Sequence, residues 1–273
     1  MTKSEPILHL YNLDSDNVMA FSTTRHGGVS KGNYGEFNIN PYSGDDIEDV
    51  EANKKSLCQL LGIDEDHLLM GHQIHKTEIR QIGKEFFLLS PETKRMILDG
   101  IDAIITDIPG TCIGISTADC IPVMLFDYAH KAIAAIHAGW RGTVDRIIGK
   151  TFIAMNKAFG CTPSDIKAII GPGISLKNFE VGQEVYECFA KAAFCMDNIS
   201  KFINGKWHID LVECNRLQLV DLGINDKNIQ SLEFAHTTTL MTFSLHDALA
   251  LSREESTTAS WLKIDRLAFS IKT

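Results

Sequence analysis

Two short apolar runs separated by a polar break constrain the fold of this chain more than any other feature. The runs cover residues 120–126 (CIPVMLF) and 131–137 (KAIAAIH), and the break at 127–130 reads DYAH. This pattern predicts a β-hairpin. Strands rise about 3.3 Å per residue, so paired strands of similar length bring His137 back near Cys120. A thiol and an imidazole would then meet at one sheet edge, as a nucleophile with its base or as two ligands of a zinc ion.

The remaining periodic segments predict a mixed α/β chain. Apolar residues at helical spacing predict helices over 45–61, 143–159, 179–194 and 210–222. Short apolar runs predict strands over 7–10, 18–24, 166–170, 229–234 and 240–245. We find no internal repeat and no linker composition, so residues 1–273 are predicted to form a single domain.

Residues 67–82 carry two histidines, His72 and His75, and alternate between polar and apolar side chains from Gln73 onward. Successive side chains of a strand point to opposite faces, so a spacing of three separates these two residues. If the segment is a strand, we expect one of the two histidines to enter a site.

Composition and charge narrow the function classes. A formal net charge of −9 disfavours a nonspecific nucleic-acid partner, because such surfaces depend on clustered Lys and Arg. No apolar run approaches the roughly 18 residues of a membrane span, which predicts no membrane partner. The N-terminus lacks a basic start followed by an apolar stretch, and seven cysteines are scattered without close pairs. We therefore predict a cytoplasmic protein with reduced thiols.

The strongest candidate set is His75, Cys120 and His137. One thiolate with two imidazoles leaves a fourth position for water or substrate, which is typical of catalytic zinc. The chain has ten histidines and seven cysteines, so spacing alone does not establish the site. A buried cysteine and a hydrogen-bonded histidine with structural roles are the alternative.

Three segments resemble the signatures of the YfiH family: 73–75 (QIH), 117–122 (TADCIP) and 137–142 (HAGWRG). This family is also called the laccase-domain, polyphenol oxidase or multifunctional purine nucleoside phosphorylase family. Segments 25–30 (RHGGVS) and 171–174 (GPGI) fit it in the same order. The resemblance implies a four-layer α/β/β/α sandwich with mixed sheets.

The resemblance also implies a zinc ion held by His75, Cys120 and His137. The implied activity is phosphorolysis of adenosine, inosine, guanosine and methylthioadenosine to a free base and a sugar 1-phosphate, together with deamination of adenosine. The partners would be a purine nucleoside and inorganic phosphate. Copper-dependent oxidation of phenols, an older assignment for relatives, ranks lower because one set of three ligands offers one metal centre.

Further residues are candidates for substrate binding. Arg25, in a glycine-rich loop, or Arg141 could orient phosphate beside the metal. Asp119 and Asp102 could recognise the base or transfer a proton, with turn or ligand-supporting hydrogen bonds as the alternative. Asn38 could bind sugar hydroxyls, although a loop-stabilising asparagine explains the same residue.

The sequence departs from the family pattern at Lys76, where relatives usually have glycine, and over 233–255 near the C-terminus. Two other functions stay open. One is a cysteine hydrolase with Cys120 as nucleophile and His137 as base. The other is a metal-binding protein without turnover. The sequence pattern gives no indication of the oligomeric state.

Overall fold

The computed structural model describes residues 8–13, 18–232 and 258–264, and these contain fourteen strands and seven helices. The strands are β1 Leu8–Tyr11, β2 Val18–Thr23, β3 Leu68–Met70, β4 Ile79–Ile82, β5 Ala103–Thr106, β6 Cys112–Thr117, β7 Ile121–Asp127, β8 Ala132–Ala138, β9 Ile166–Ile170, β10 Glu180–Val181, β11 Ser200–Ile203, β12 Lys206–Ile209, β13 Ile229–Ser231 and β14 Thr258–Ile264. The helices are α1 Ile47–Leu61, α2 Pro91–Ile97, α3 Trp140–Val144, α4 Ile147–Phe159, α5 Gln183–Lys191, α6 Met196–Ile199 and α7 Leu211–Asp221.

The predicted hairpin is confirmed and lies in the middle of a six-stranded sheet. Strands β7 and β8 pair antiparallel with Pro122 opposite His137, inside the order β13-β9-β7-β8-β5-β4. At the turn, Asp127 Oδ1 accepts hydrogen bonds from the backbone amides of Ala129 and His130, each at 2.8 Å. An aspartate that bonds nearby amides favours such a turn.

Both faces of the hairpin are buried, which explains why its strands read as continuous apolar runs. Val123 and Leu125 face a core shared with α4 and α7. Met124 and Phe126 face a second core, shared with the five-stranded sheet of order β1-β2-β14-β6-β3. Alternate residues of one strand thus fill two separate cores.

The five-stranded sheet is covered on its other face by α1. Phe21 and Cys112 from the sheet pack with Leu57 and Leu61 from the helix in a third core. The layers are therefore α1, the five-stranded sheet, the six-stranded sheet, and α4 with α7. This order confirms the predicted α/β/β/α sandwich with mixed sheets.

The helix predicted over 143–159 is divided in two. Helix α3 begins earlier, at Trp140, and Arg146 interrupts the run with a left-handed backbone (φ 61°) before α4 begins at Ile147. A left-handed residue cannot continue a right-handed helix, and side-chain periodicity does not reveal it. The helix predicted over 179–194 is the shorter α5, which begins at Gln183.

Helix α2 was not predicted, although its start signal is in the sequence. Ser90 precedes Pro91 at the first helical position, and Ser90 Oγ accepts a hydrogen bond from the Thr93 amide at 3.2 Å. Serine as N-cap followed by proline is a typical helix start. The helix is short, so apolar periodicity alone could not identify it.

Parts of the predicted organisation fall outside the described residues, namely the strand over 240–245 and the segment 233–255. The assignment of 1–273 to one domain stays a prediction. Within the described ranges, no helix combines the length and apolar character needed to cross a membrane.

Candidate metal centre

The structure brings together the three residues that the sequence analysis singled out. Ligand atoms of His75, Cys120 and His137 lie within 4.8 Å of one another. His137 is in β8 and buried, Cys120 immediately precedes β7 and is partly buried, and His75 is exposed in the loop between β3 and β4. The two imidazole rings meet edge to face, with centroids 4.7 Å apart. The cluster is therefore open to solvent on the His75 side.

Residues 67–82, for which a strand was one of the possibilities left open, contain β3, a loop and β4. His75 enters the cluster from this loop, whereas His72 Nδ1 lies 2.6 Å from Asp99 Oδ1 and its ring stacks on Tyr42. One histidine of the pair thus enters the site, as expected, but loop geometry and not strand alternation separates the two.

Asp102, just before β5, holds both histidines of the cluster. Its carboxylate is fully buried, and Oδ1 lies 2.7 Å from His137 Nδ1. A carboxylate accepts hydrogen bonds, so Nδ1 carries the proton and Nε2 keeps its lone pair for a metal. The backbone amides of His75 (2.9 Å, to Oδ1) and Lys76 (2.7 Å, to Oδ2) donate to the same carboxylate.

These bonds maintain the charge of Asp102 and the conformation of the His75 loop. Burial acts to raise the pKa of Asp102, but hydrogen bonds from His137 and from the amides of Lys76 and His75 outweigh it, so the pKa is lowered. His75 has a positive φ of 61°, which is unfavourable for a residue with a side chain. The two amide bonds to Asp102 offset this strain.

Gln73 connects the His75 loop to the segment that carries Cys120. Its side-chain amide donates to Ser116 O at 2.7 Å, and its side-chain oxygen accepts from Ser116 N at 2.7 Å. Ser116 lies in β6, four residues before Cys120. These two hydrogen bonds resemble those between paired strands. They hold the His75 loop against the segment that carries Cys120.

The glycines of the GPG segment have a packing role. A Cβ on Gly173 would lie 2.9 Å from Cys120 O and 3.0 Å from Asp119 O. The Ile174 amide donates to Asp119 O at 2.8 Å. Segment 171–174 thus supports the backbone at Cys120, and a larger residue at 173 would displace it.

Burial, together with the negative charges of Asp119 and Asp102, raises the pKa of the Cys120 thiol to about 12. Such a thiol is protonated at neutral pH unless a cation lies beside it, where it deprotonates and binds. One sulfur and two imidazole nitrogens suit zinc, and an exposed side leaves room for a fourth ligand. The residues present therefore fit a zinc ion.

Two of the residues predicted to bind substrate, Arg25 and Asn38, lie in the segment between β2 and α1. The Arg25 guanidinium donates to Gly35 O at 2.9 and 2.6 Å. Asn38 donates to Ser43 Oγ (2.7 Å) and Asp45 Oδ2 (3.0 Å), which are the bonds of a loop-stabilising asparagine. The substrate-binding roles of both residues stay predictions.

Two further candidates flank the cluster in sequence. Asp119 is exposed beside Cys120, and the exposed Arg141 places its guanidinium 4.1 Å from the centre of the Trp140 ring. Helix α3 begins at Trp140, whereas the predicted helix begins at residue 143. The amides of its first turn therefore follow Gly139 directly. Phosphate binding beside Arg141 stays a prediction.

Comparison with known proteins identifies the family. A family model described as multi-copper polyphenol oxidoreductase laccase matches residues 19–247. The chain belongs to this family. A relative from Bacteroides thetaiotaomicron named purine nucleoside phosphorylase is 46% identical over 233 residues, covering 84% of this chain and 86% of the relative. A protein from an unknown prokaryotic organism named adenosine deaminase RL5 is 39% identical over 216 residues, covering 78% and 82%.

Solved structures share the fold of this laccase-family chain. YlmD from Geobacillus stearothermophilus superposes with a TM-score of 0.80 at 25% identity, covering 92% of this chain and 93% of YlmD. Protein NMB0706 from Neisseria meningitidis gives a TM-score of 0.77 at 27% identity, covering 96% and 100%. The architecture is therefore that of the YfiH-like proteins in this family.

The close packing of Cys120 and His75 around Gly139 leads to a testable prediction. A Cβ at this position would lie 3.1 Å from Cys120 Sγ and 3.2 Å from His75 Cδ2. Gly139 has ordinary extended backbone (φ −67°), so Gly139→Ala perturbs the ligands without backbone strain. We expect zinc affinity to fall by about 10–100-fold, as when a ligand is misoriented, measured by competition with a chelator.

Gly149→Ala is the matched control. Gly149 lies inside α4, and a Cβ there would meet nothing within 4 Å. Alanine in a helix interior should stabilise the protein by about 1 kcal/mol and leave zinc affinity unchanged. Equal zinc affinities for the two variants would contradict the packing argument.

Proposed function

We propose that this chain is a zinc-dependent purine nucleoside phosphorylase that also deaminates adenosine. Its substrates would be adenosine, inosine, guanosine and methylthioadenosine, cleaved with phosphate to a base and a sugar 1-phosphate. The observation that carries the proposal is the open cluster of His75, Cys120 and His137, supported by the buried carboxylate of Asp102. The names of the two relatives, a phosphorylase and a deaminase, point to the same substrate class.

The charge of the cluster suits an anionic co-substrate. A thiolate and two neutral imidazoles around Zn²⁺ leave a formal charge of +1, and the bound ion would supply a Lewis acid beside the substrate. The residues of the chain keep that site in shape. Asp102 fixes the tautomer of His137, Gln73 fixes the approach of the His75 loop, and Gly139 leaves space between the ligands.

In phosphorolysis, a phosphate oxygen bonds to the anomeric carbon while the glycosidic bond to the purine breaks. The phosphate must be oriented, and the departing purine needs a proton. We assign the first task to Arg25 or Arg141 and a hydrogen-bonding role toward the base to Asp119, whose exposed position beside Cys120 suits it. Asn38 is assigned to the sugar hydroxyls.

The cysteine hydrolase is a second candidate, because Cys120, His137 and Asp102 also have the order of a thiol, base and orienting carboxylate. Two observations disfavour it. Reactive cysteines have lowered pKa values, whereas the pKa of Cys120 is raised to about 12. In addition, such a triad has no use for His75, which the Asp102 hydrogen bonds hold beside Cys120.

His75→Ala separates the two functions. Purified protein is incubated with adenosine and phosphate, and adenine, inosine and ribose 1-phosphate are followed by chromatography. Adenine and ribose 1-phosphate should require added phosphate, whereas inosine from deamination should not. We expect His75→Ala to lose both activities together with its zinc, because a metal ligand is missing.

His67→Ala is the control, since His67 stacks on Phe87 away from the cluster, and it should keep both activities. Hydrolysis of ester or amide substrates that survives in His75→Ala and is abolished by thiol alkylation would favour the hydrolase. No product above a Cys120→Ala background across several purine nucleosides would favour a metal-binding protein without turnover. Copper-dependent oxidation of phenols ranks lower because the cluster offers one metal centre, whereas laccase chemistry uses several.

A further inference from the structure

A second group of potential metal ligands lies at the other end of the β7–β8 hairpin. Asp127 is the last residue of β7, His130 lies in the turn that follows it, and Cys161 lies in the segment after α4. Ligand atoms of the three residues lie within 4.8 Å of one another. The seven-residue strands separate this group from Cys120 and His137 by about 20 Å. It is therefore distinct from the nucleoside site.

The group consists of two buried side chains and one that reaches solvent. Asp127 and Cys161 are both 0% exposed, whereas the His130 side chain is 38% exposed. Asp127 Oδ2 lies 3.0 Å from His130 Nδ1, and its other oxygen is occupied by the turn amides. Cys161 is held by a bond from Asn156 Nδ2 to its carbonyl at 2.8 Å. A metal could thus enter from the His130 side without opening the core.

We propose that Asp127, His130 and Cys161 bind a second zinc ion, which joins the hairpin turn to the end of α4. The ligands of a tetrahedral zinc site are roughly 3 to 4 Å apart. The three groups are already within 4.8 Å of one another, so a small contraction suffices. Carboxylate, imidazole and thiolate are all zinc ligands. On binding, the thiol releases its proton to solvent and His130 binds through one neutral ring nitrogen.

Charge separates the roles of the two sites. A carboxylate and a thiolate neutralise Zn²⁺, so this site has no net charge to attract phosphate. Two of its ligands are fully buried, and burying a metal site without net charge costs less desolvation free energy than burying a charged one. At the nucleoside site the formal +1 remains available to an anion. The second ion would therefore join the hairpin turn to the segment after α4 without attracting phosphate, with water as its fourth ligand on the exposed His130 side.

The test uses Co²⁺ as probe in Cys120→Ala protein, where the first site lacks its sulfur. Thiolate bound to Co²⁺ gives a charge-transfer absorption in the near ultraviolet. We expect this band to appear with one equivalent of Co²⁺, and zinc to raise the melting temperature of the same protein. Adding His130→Ala should abolish both effects. Because the His130 side chain is 38% exposed, we expect this variant to keep the fold.

Two cysteine variants complete the test in the same background. Cys161→Ser should lose the band, whereas Cys214→Ala should keep it, because Cys214 is equally buried but belongs to no ligand group among the described residues. If Cys161→Ser does not fold, the His130→Ala result decides. Absence of the band in Cys120→Ala protein, or its persistence after His130→Ala, would overturn the proposal and leave Asp127 as a hydrogen-bonded turn residue. Nucleoside turnover plays no part, so the proposed function is tested separately.

Discussion

Replacing Cys120 with alanine should remove one equivalent of zinc and lower nucleoside phosphorolysis by at least about 10²–10³-fold. The thiolate is the one anionic ligand of the cluster, and His75 and His137 alone bind the ion more weakly. Metal content by atomic spectroscopy and the rate of ribose 1-phosphate formation measure the two effects. Both should fall together, because the ion contributes the charge at the site.

The matched control is Cys188→Ala. Cys188 is also partly buried but lies on α5, away from the cluster. It should keep wild-type zinc content and activity. If Cys120→Ala kept full activity after losing its zinc, the metal would have no role in the reaction and the proposed mechanism would be wrong.

Asp102→Asn should weaken zinc binding by about 10–100-fold. One oxygen of this carboxylate accepts from His137 and His75, and the other accepts from Lys76. In either orientation, an asparagine amide group faces one of these donors. At least one buried donor then loses its partner, which should lower the free energy of unfolding by about 1–3 kcal/mol. Chelator competition and urea unfolding measure the two quantities.

Asp107→Asn provides the comparison, since Asp107 is exposed just after β5, at the opposite end of that strand from Asp102. It should change neither quantity. An Asp102→Asn protein that binds zinc as tightly as wild type would show that His137 and the His75 loop hold their positions without the carboxylate. The positioning role of Asp102 would then be withdrawn.

The hairpin was predictable from residues 120–137 because a strand buried on both faces is an unbroken apolar run. Helices α1 and α7 were predictable because their apolar residues recur at helical spacing. Helix α2 was missed although Ser90 and Pro91 mark its start, and the break at Arg146 left no signal in the apolar pattern. The elements that the sequence predicts correctly have a periodic apolar pattern over many residues. Those that it does not predict, the start of α2 and the break at Arg146, depend on one or two residues.

The candidate ligands could be named from the motifs around His75, Cys120 and His137, and their support could be named in part. Ligand-supporting hydrogen bonds are the alternative that the sequence analysis gives for Asp102, and the structure shows them, because its carboxylate is fully buried with Oδ1 2.7 Å from His137 Nδ1. The role of Gln73 was not anticipated. Its bonds to Ser116 join residues 43 positions apart, and nothing in either segment indicates the partner.

Residues 120–137 alone specify the hairpin, because their apolar runs and polar turn follow from strand geometry, and the resemblance of three short motifs to a known family names the three candidate ligands. Only the packed fold shows which side of the His75 loop faces Cys120, which carboxylate holds the histidines, and that Cys161 meets the hairpin end at Asp127. Those contacts join residues far apart in the chain. Their geometry depends on how the layers pack, and the free energy of that packing is distributed over the whole core.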